Sequence, residues 1–249
     1  MKNGLRASLY QALSPRILLV GLLAGLVMGG NLLAPLLQAR STGGLIQDAH
    51  VAMLADALQS QATTAFLPIL AVLPFAGVYV EDMKTKFARF FLIRGSFADY
   101  CLGRALAAFL SGGLGILLGA LALWAGTELV LPSLERPVEG LDPASRQVLV
   151  ETCGLLFCAG GLWAVVGMAM STLMESKYIA YCAPFVIYYL LVILCERYSP
   201  DAFLLYPPNW VKPDLWPYGV WGAGIFLTEV TLLFGILFVF RAGRRLREL

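Results

Sequence analysis

The stretch ILLVGLLAGLVMGGNLLAPLL, Ile17 to Leu37, carries no charged side chain anywhere along it. A helix rising 1.5 Å per residue needs about 20 such residues to cross the roughly 30 Å of hydrocarbon in a bilayer, and this run supplies them. Five more apolar runs follow, near residues 63–80, 105–125, 148–173, 178–195 and 220–240. Of the 249 residues only 14% are charged and 59% are hydrophobic, where a soluble domain has roughly a quarter charged. The pattern predicts an all-α polytopic membrane protein, a single transmembrane domain over residues 1–249 with six transmembrane helices.

Lys2, Arg6 and Arg16 precede the first run as they would in a secretory signal. A signal's apolar region is only about 7–15 residues, so the run reads as a retained helix. Topology follows from the cations in the short connections. With the amino terminus inside, 13 of the 18 Lys and Arg fall on the inner side: Lys2, Arg6, Arg16, Lys84, Lys86, Arg89, Arg94, Arg104, Lys177, Arg241, Arg244, Arg245 and Arg247. The outer segments keep Arg40, Arg136, Arg146, Arg197 and Lys212, and most of the acids. Both termini are therefore expected in the cytoplasm.

Enzyme chemistry finds little to build on. The chain has no GxxxxGK[ST] phosphate loop and no GxSxG, and its one histidine excludes HExxH. No lysine falls within a predicted span, which removes a serine-lysine intramembrane hydrolase. Cys101, Cys153, Cys158, Cys182 and Cys195 lie in or beside spans without a CxxC pair, so they read as buried free thiols; no metal site is expected. His50, in a predicted outer loop, reads as a solvated residue.

Between the second and third runs stands EDMKTKFARFFLIRGSFADY, Glu81 to Tyr100. Read as a helix, Met83, Phe87, Phe90 and Phe91 share one side while Lys84, Lys86 and Arg89 occupy others. That suits a short amphipathic helix near 81–95 along the inner membrane face. A simple interfacial anchor and a docking surface for another protein would both look this way.

The run PFAG (Pro74 to Gly77), the charged turn, Arg94-Gly-Ser96 with Tyr100 and Arg104 following, and Ser111-Gly112-Gly113 in the next span together resemble permease subunits of ABC-2 type ATP-binding-cassette exporters. Gly95 and Asp99 depart from that family's pattern. The resemblance implies a type V (ABC-2-like) exporter fold in a bacterial plasma membrane. It makes residues 81–95 a coupling helix seated in a groove of a separate ATPase subunit, with Phe87, Phe90 and Phe91 packing, Lys84, Lys86, Arg89 and Arg94 supplying charge, and Met83 beside them. It further implies two ATPase copies as partners, a second permease copy or homologue, and no cofactor on this chain, ATP and magnesium being held by the partner. The cargo it points to is amphipathic, peptide-like or lipid-like, as in export of antimicrobial peptides or immunity to them. An ion-coupled secondary carrier and a non-transporting scaffold or immunity protein are the alternatives; a carrier calls for mid-membrane charge and an internal repeat.

Other features bear on packing and gating. Residues 4–13 place Leu5, Leu9 and Leu13 at four-residue spacing, an interfacial helix or a frayed end. Gly21, Gly25 and Gly29 form a tandem GxxxG, and Ser111, Gly115 and Gly119 repeat the theme, which permits close helix approach within one chain or between two. Asp142-Pro143 predicts a helix start, giving a helix of about 48 Å to Met174. Pro74 and Pro184 favour kinks, equally compatible with hinges and with a static bundle. Glu229 is the one ionisable residue well inside a span, expected either on a translocation path or hydrogen-bonded to Thr228, Thr231 or a neighbouring helix. The Pro-, Trp- and Tyr-rich segment 199–221 is expected to dip into the outer leaflet or cap the bundle.

Overall fold

The computed structural model describes residues 8–41, 45–46, 49–88, 96–131, 135–136, 144–174 and 176–247. Residues 8–12 are helical and lead into α1 (Arg16–Ser41). Then come α2 (Ala49–Gln59), α3 (Gln61–Val72), α4 (Val78–Lys84), α5 (Phe97–Val130), α6 (Ala144–Met174), α7 (Lys177–Arg197) and α8 (Val220–Arg247). Two two-residue strands, β1 (Leu45–Ile46) and β2 (Glu135–Arg136), pair in parallel and tie the α1–α2 connection to the α5–α6 connection.

Five helices, α1, α5, α6, α7 and α8, are long and apolar enough to cross a membrane. Their outward faces carry large apolar side chains, including Leu18, Leu22, Leu26, Leu190, Leu233 and Ile236, a surface water would not tolerate and lipid would. The chain thus has the architecture of a multi-pass membrane protein. α6 forms the centre, most buried of the five, with α5, α7 and α8 packed round it and α1 against α5.

Where the second continuous span was expected, near 63–80, the chain is broken. α2 ends at Gln59 and α3 starts after Ser60, whose Oγ accepts the Thr63 backbone N–H at 3.2 Å and so caps the new helix. α3 is only 12 residues long, stops before Pro74, and α4 resumes after Gly77. Proline cannot donate the next helical bond, which accounts for the second break. The side of Gly77 is closed by Tyr181, whose hydroxyl would lie 2.6 Å from an added Cβ. Pro184, by contrast, lies inside α7 without ending it.

The small-residue stripes meet each other within the chain. Gly21, Gly25 and Gly29 of α1 face Gly115, Gly119 and Leu123 of α5; a Cβ on Gly119 would stand 2.6 Å from the Gly21 carbonyl oxygen and 2.7 Å from Ala24 Cβ. Backbones approach this closely only because no side chain intervenes. The same device joins α5 to α6, where Gly112 sits against Gly160 and Ala164.

Polar groups fill the level of the first break. Asn31 Nδ2 donates to Ser60 Oγ and Thr63 Oγ1, both at 3.0 Å, Gln59 Nε2 donates to Thr152 Oγ1 at 2.8 Å, and Thr64 Oγ1 meets Tyr188 Oη at 3.2 Å. Each satisfies a group that apolar surroundings would otherwise leave costly. Beside them the α7–α8 connection folds into three single-turn 3-10 helices, Phe203–Leu205, Pro207–Asn209 and Pro213–Leu215. Its Trp210 is buried and stacks on Trp163 of α6 at 5.6 Å between ring centroids. Trp163 lies 11 residues before the end of α6, about 17 Å along the helix, so this connection reaches deep between the helices rather than lying over them.

Candidate coupling site at the basic end of the bundle

One end of the bundle gathers the cations of Arg16, Lys84, Lys86, Arg104, Lys177, Arg241, Arg244 and Arg245, and the path from α4 to α5 lies there. The site is built from α4 outward. Asp82, near the end of α4, is buried, as are Tyr100 and Arg104 on the first turns of α5. Tyr100 and Arg104 are four residues apart and therefore share a helix face. Arg104 Nη2 pairs with Asp82 Oδ2 at 2.6 Å, Tyr100 Oη donates to the same oxygen at 2.8 Å, and Arg104 Nη1 donates to Gln11 Oε1 at 2.6 Å. The guanidinium lies 5.6 Å from the ring centres of both Phe75 and Tyr100.

A second tie is made by Glu81, which pairs with Lys177 at the start of α7. α5 itself begins at a capped turn: Ser96 Oγ accepts the Asp99 backbone N–H at 3.1 Å, and the half-buried Asp99 sits at the helix amino end, where negative charge is favoured. Asp99, which departs from the ABC-2 pattern, thus has a local structural use.

The sequence-predicted coupling residues divide into two groups. Arg89, Phe90, Phe91 and Arg94 lie outside the described residues. Met83, Lys84, Lys86 and Phe87 lie within them, but not on the single helix near 81–95 that periodicity suggested. α4 ends at Lys84, Thr85 closes it by donating its hydroxyl to the Glu81 carbonyl at 2.8 Å, and Lys86 adopts the left-handed conformation at φ 58° before the chain turns helical again at 87–88. The reversal separates residues expected on one side: Met83 packs toward the Phe75, Tyr79 and Tyr100 core, while Phe87 is 48% exposed, as are Lys84 and Lys86 beside it. The described part of the segment therefore presents two cations and one aromatic ring outward, on a foot tied to α5 and α7.

Glu229 does not point into the bundle. It stands exposed in the middle of the outward stripe Trp221, Ile225, Leu232, Leu233, Ile236 and Phe240 on α8, and meets no hydrogen-bond or ion-pair partner among the described residues. Thr228 and Thr231, its expected partners, donate instead to the Gly224 and Leu227 carbonyls of their own helix, at 2.8 and 2.7 Å. His50 also differs from expectation: it is on α2 rather than in a loop, is only 1% exposed, and its Nε2 lies 3.5 Å from Glu128 Oε2 near the far end of α5. Cys101, Cys153 and Cys195 are buried, Cys158 is half-buried and Cys182 is exposed; all five are free. Among the described residues no cluster of His, Cys, Asp or Glu could hold a metal ion.

Asp82 and Gln11 were the site residues that sequence reading missed. The i, i+4 spacing of Tyr100 and Arg104 was visible, but Arg104 was read only as one of the inner-side cations, and nothing local marked Asp82 as its partner.

No protein-family model matches this chain, and neither does any curated protein or solved structure.

Proposed function

We propose that this chain is the membrane subunit of an ABC-2 type exporter, lining a substrate path and coupling to a separate ATPase subunit. One observation carries the reading. Lys84, Lys86 and Phe87 project from a short foot whose two acids, Asp82 and Glu81, are ion-paired to the first turns of α5 and α7. A partner that closes on ATP must push on something exposed, stiff and joined directly to spanning helices, and this foot has all three properties. The aromatic ring fills a pocket and the cations match an acidic rim.

The six-span arrangement is part of the same proposal. Glu81 meets the start of α7 at the basic end, and His50 meets Glu128 near the finish of α5 at the other, so the broken segment 49–84 runs the height of the bundle. α2, α3 and α4 then form a discontinuous sixth crossing, its interrupted backbone sheltered from lipid by α6, α7 and the polar groups around Ser60. By the excess of Lys and Arg at the basic end, that end and both termini lie in the cytoplasm. Two copies, or this chain with a homologue, enclose the path for an amphipathic cargo, and the hydrolysed ATP belongs to the partner, since the chain itself has no phosphate loop.

The test is a pull-down of tagged full-length protein from solubilised native membranes. The expected result is an ATPase chain in equal proportion, reduced in Phe87→Ala and in Lys84→Glu/Lys86→Glu while helicity is unchanged. A chain that emerges alone, or an ATPase indifferent to both variants, sinks the proposal.

A further inference from the structure

A groove of about 640 Å³ runs between α5 and α8 over a floor provided by α6, bordered by Leu102, Phe109, Val165, Leu227, Gly235 and Phe240. Among the described residues its polar lining groups are Cys158, Thr228 and Thr231, and both threonine hydroxyls donate to their own helix backbone, so this wall offers hydrocarbon contact and no free hydroxyl donor. From Leu227 to Phe240 the groove follows 13 residue steps of α8, about 20 Å. One leaflet contributes about 15 Å of a 30 Å hydrocarbon core, so the groove spans a leaflet's depth. At its basic-end mouth the Arg244 guanidinium lies 4.4 Å from the ring centre of Phe240, itself part of the lining. Arg244 is exposed and has no acidic partner among the described residues.

We infer that this groove holds one anionic phospholipid of the basic-side leaflet, an acyl chain lying between α5 and α8 and the phosphate at Arg244. The two ends of the site demand opposite chemistries, hydrocarbon along 20 Å and an anion at one mouth, and an anionic phospholipid joins both in one molecule. The inference rests on the chain residing in a bilayer and is independent of any ATPase partner.

Gly235 supplies the test, because an added Cβ there meets nothing within 4 Å and a larger side chain enters the groove without strain. Purified full-length protein is equilibrated with equal phosphatidylglycerol and phosphatidylcholine of identical acyl chains, and retained lipids are counted by native mass spectrometry. Wild type retains phosphatidylglycerol preferentially; Arg244→Gln reduces that preference about fivefold. Gly235→Phe lowers retention of both lipids, with Gly235→Leu as a milder variant should the larger ring impair folding. A diazirine-bearing acyl chain labels peptides containing Leu102 and Phe240. Equal retention of the two headgroups by wild type, unchanged retention in both Gly235 variants, or a disulfide joining two chains through Gly235→Cys would each overturn the inference. None of these outcomes alters the ATPase pull-down, so the two proposals fail separately.

Discussion

Asp82→Asn is the sharpest perturbation of the basic-end site. The substitution preserves shape but leaves the Arg104 guanidinium, 2% exposed, without its counter-charge. Arginine cannot shed its proton, so the charge stays buried, and breaking such a pair costs about 3–5 kcal/mol. For a chain of this size that corresponds to a fall of about 6–20 °C in Tm. Arg104→Met is expected to cost less, because the stranded Asp82 carboxyl, unlike the guanidinium, can take up a proton and become neutral. The double variant should lose less than Asp82→Asn alone. Thermal unfolding can be followed by a thiol-reactive dye, since Cys101, Cys153 and Cys195 are buried until the bundle opens. An Asp82→Asn shift under about 2 °C, or an Arg104→Met loss larger than the Asp82→Asn loss, would refute the reasoning.

Gly119→Val places a branched side chain where even a Cβ would stand 2.6 Å from the Gly21 oxygen, so a loss of about 1–3 kcal/mol is expected by the same dye assay, while Gly126→Ala, with open space around it, should lose nothing and gain up to about 1 kcal/mol of helix propensity. Trp210→Ala removes the ring stacked on Trp163 and should cost about 3–5 kcal/mol; a loss below about 1 kcal/mol would show that the α7–α8 connection does not hold the bundle together. Glu229→Leu replaces an exposed, unpartnered carboxylate on an apolar stripe, and should raise stability in nanodiscs by up to about 3 kcal/mol; a destabilised variant would mean that the carboxylate has a partner in the assembled protein.

The five long helices were legible because each is an uninterrupted apolar run that needs no tertiary information. The broken segment was legible only in part. Pro74 announced a disturbance, but the averaged apolarity of 63–80 hid the cap at Ser60 and the separate helix beyond it. The signal for α2 was present all the same: Val51, Leu54, Ala55 and Leu58 recur at helical spacing and are all buried, and His50 is carried with them to the end of that helix. The glycine stripes were readable as close-approach surfaces, whereas the choice between an intrachain and an interchain partner needed coordinates. Asp82 was opaque for a simple reason. In a row of Glu, Asp and Lys every charge looks solvated, and only the packing of α4 against α5 singles out the one that is not.

On the proposed exporter reading, the unequal strengths of the two ties decide how the foot moves. Glu81 and Lys177 are 45% and 39% exposed, so solvent screens their attraction and the pair holds α4 to α7 by no more than about 1 kcal/mol. Asp82 and Arg104 are 7% and 2% exposed, and separating them strands a buried charge at a cost of about 3–5 kcal/mol. A push on Lys84, Lys86 and Phe87 therefore moves α4 and α5 together and lets α7 slip. α5 in turn drags α1 and α6, because Gly119 and Gly112 bring those backbones too close to shear past one another. The foot's motion is then delivered to α1, α5 and α6 as one body, with the joints at residues 73–77 and at Ser60 absorbing the strain along the broken segment. Cysteine pairs across α4–α5 should leave coupled ATPase activity intact, whereas pairs locking α4 to α7 should abolish it; the reverse pattern would assign the moving body to α7.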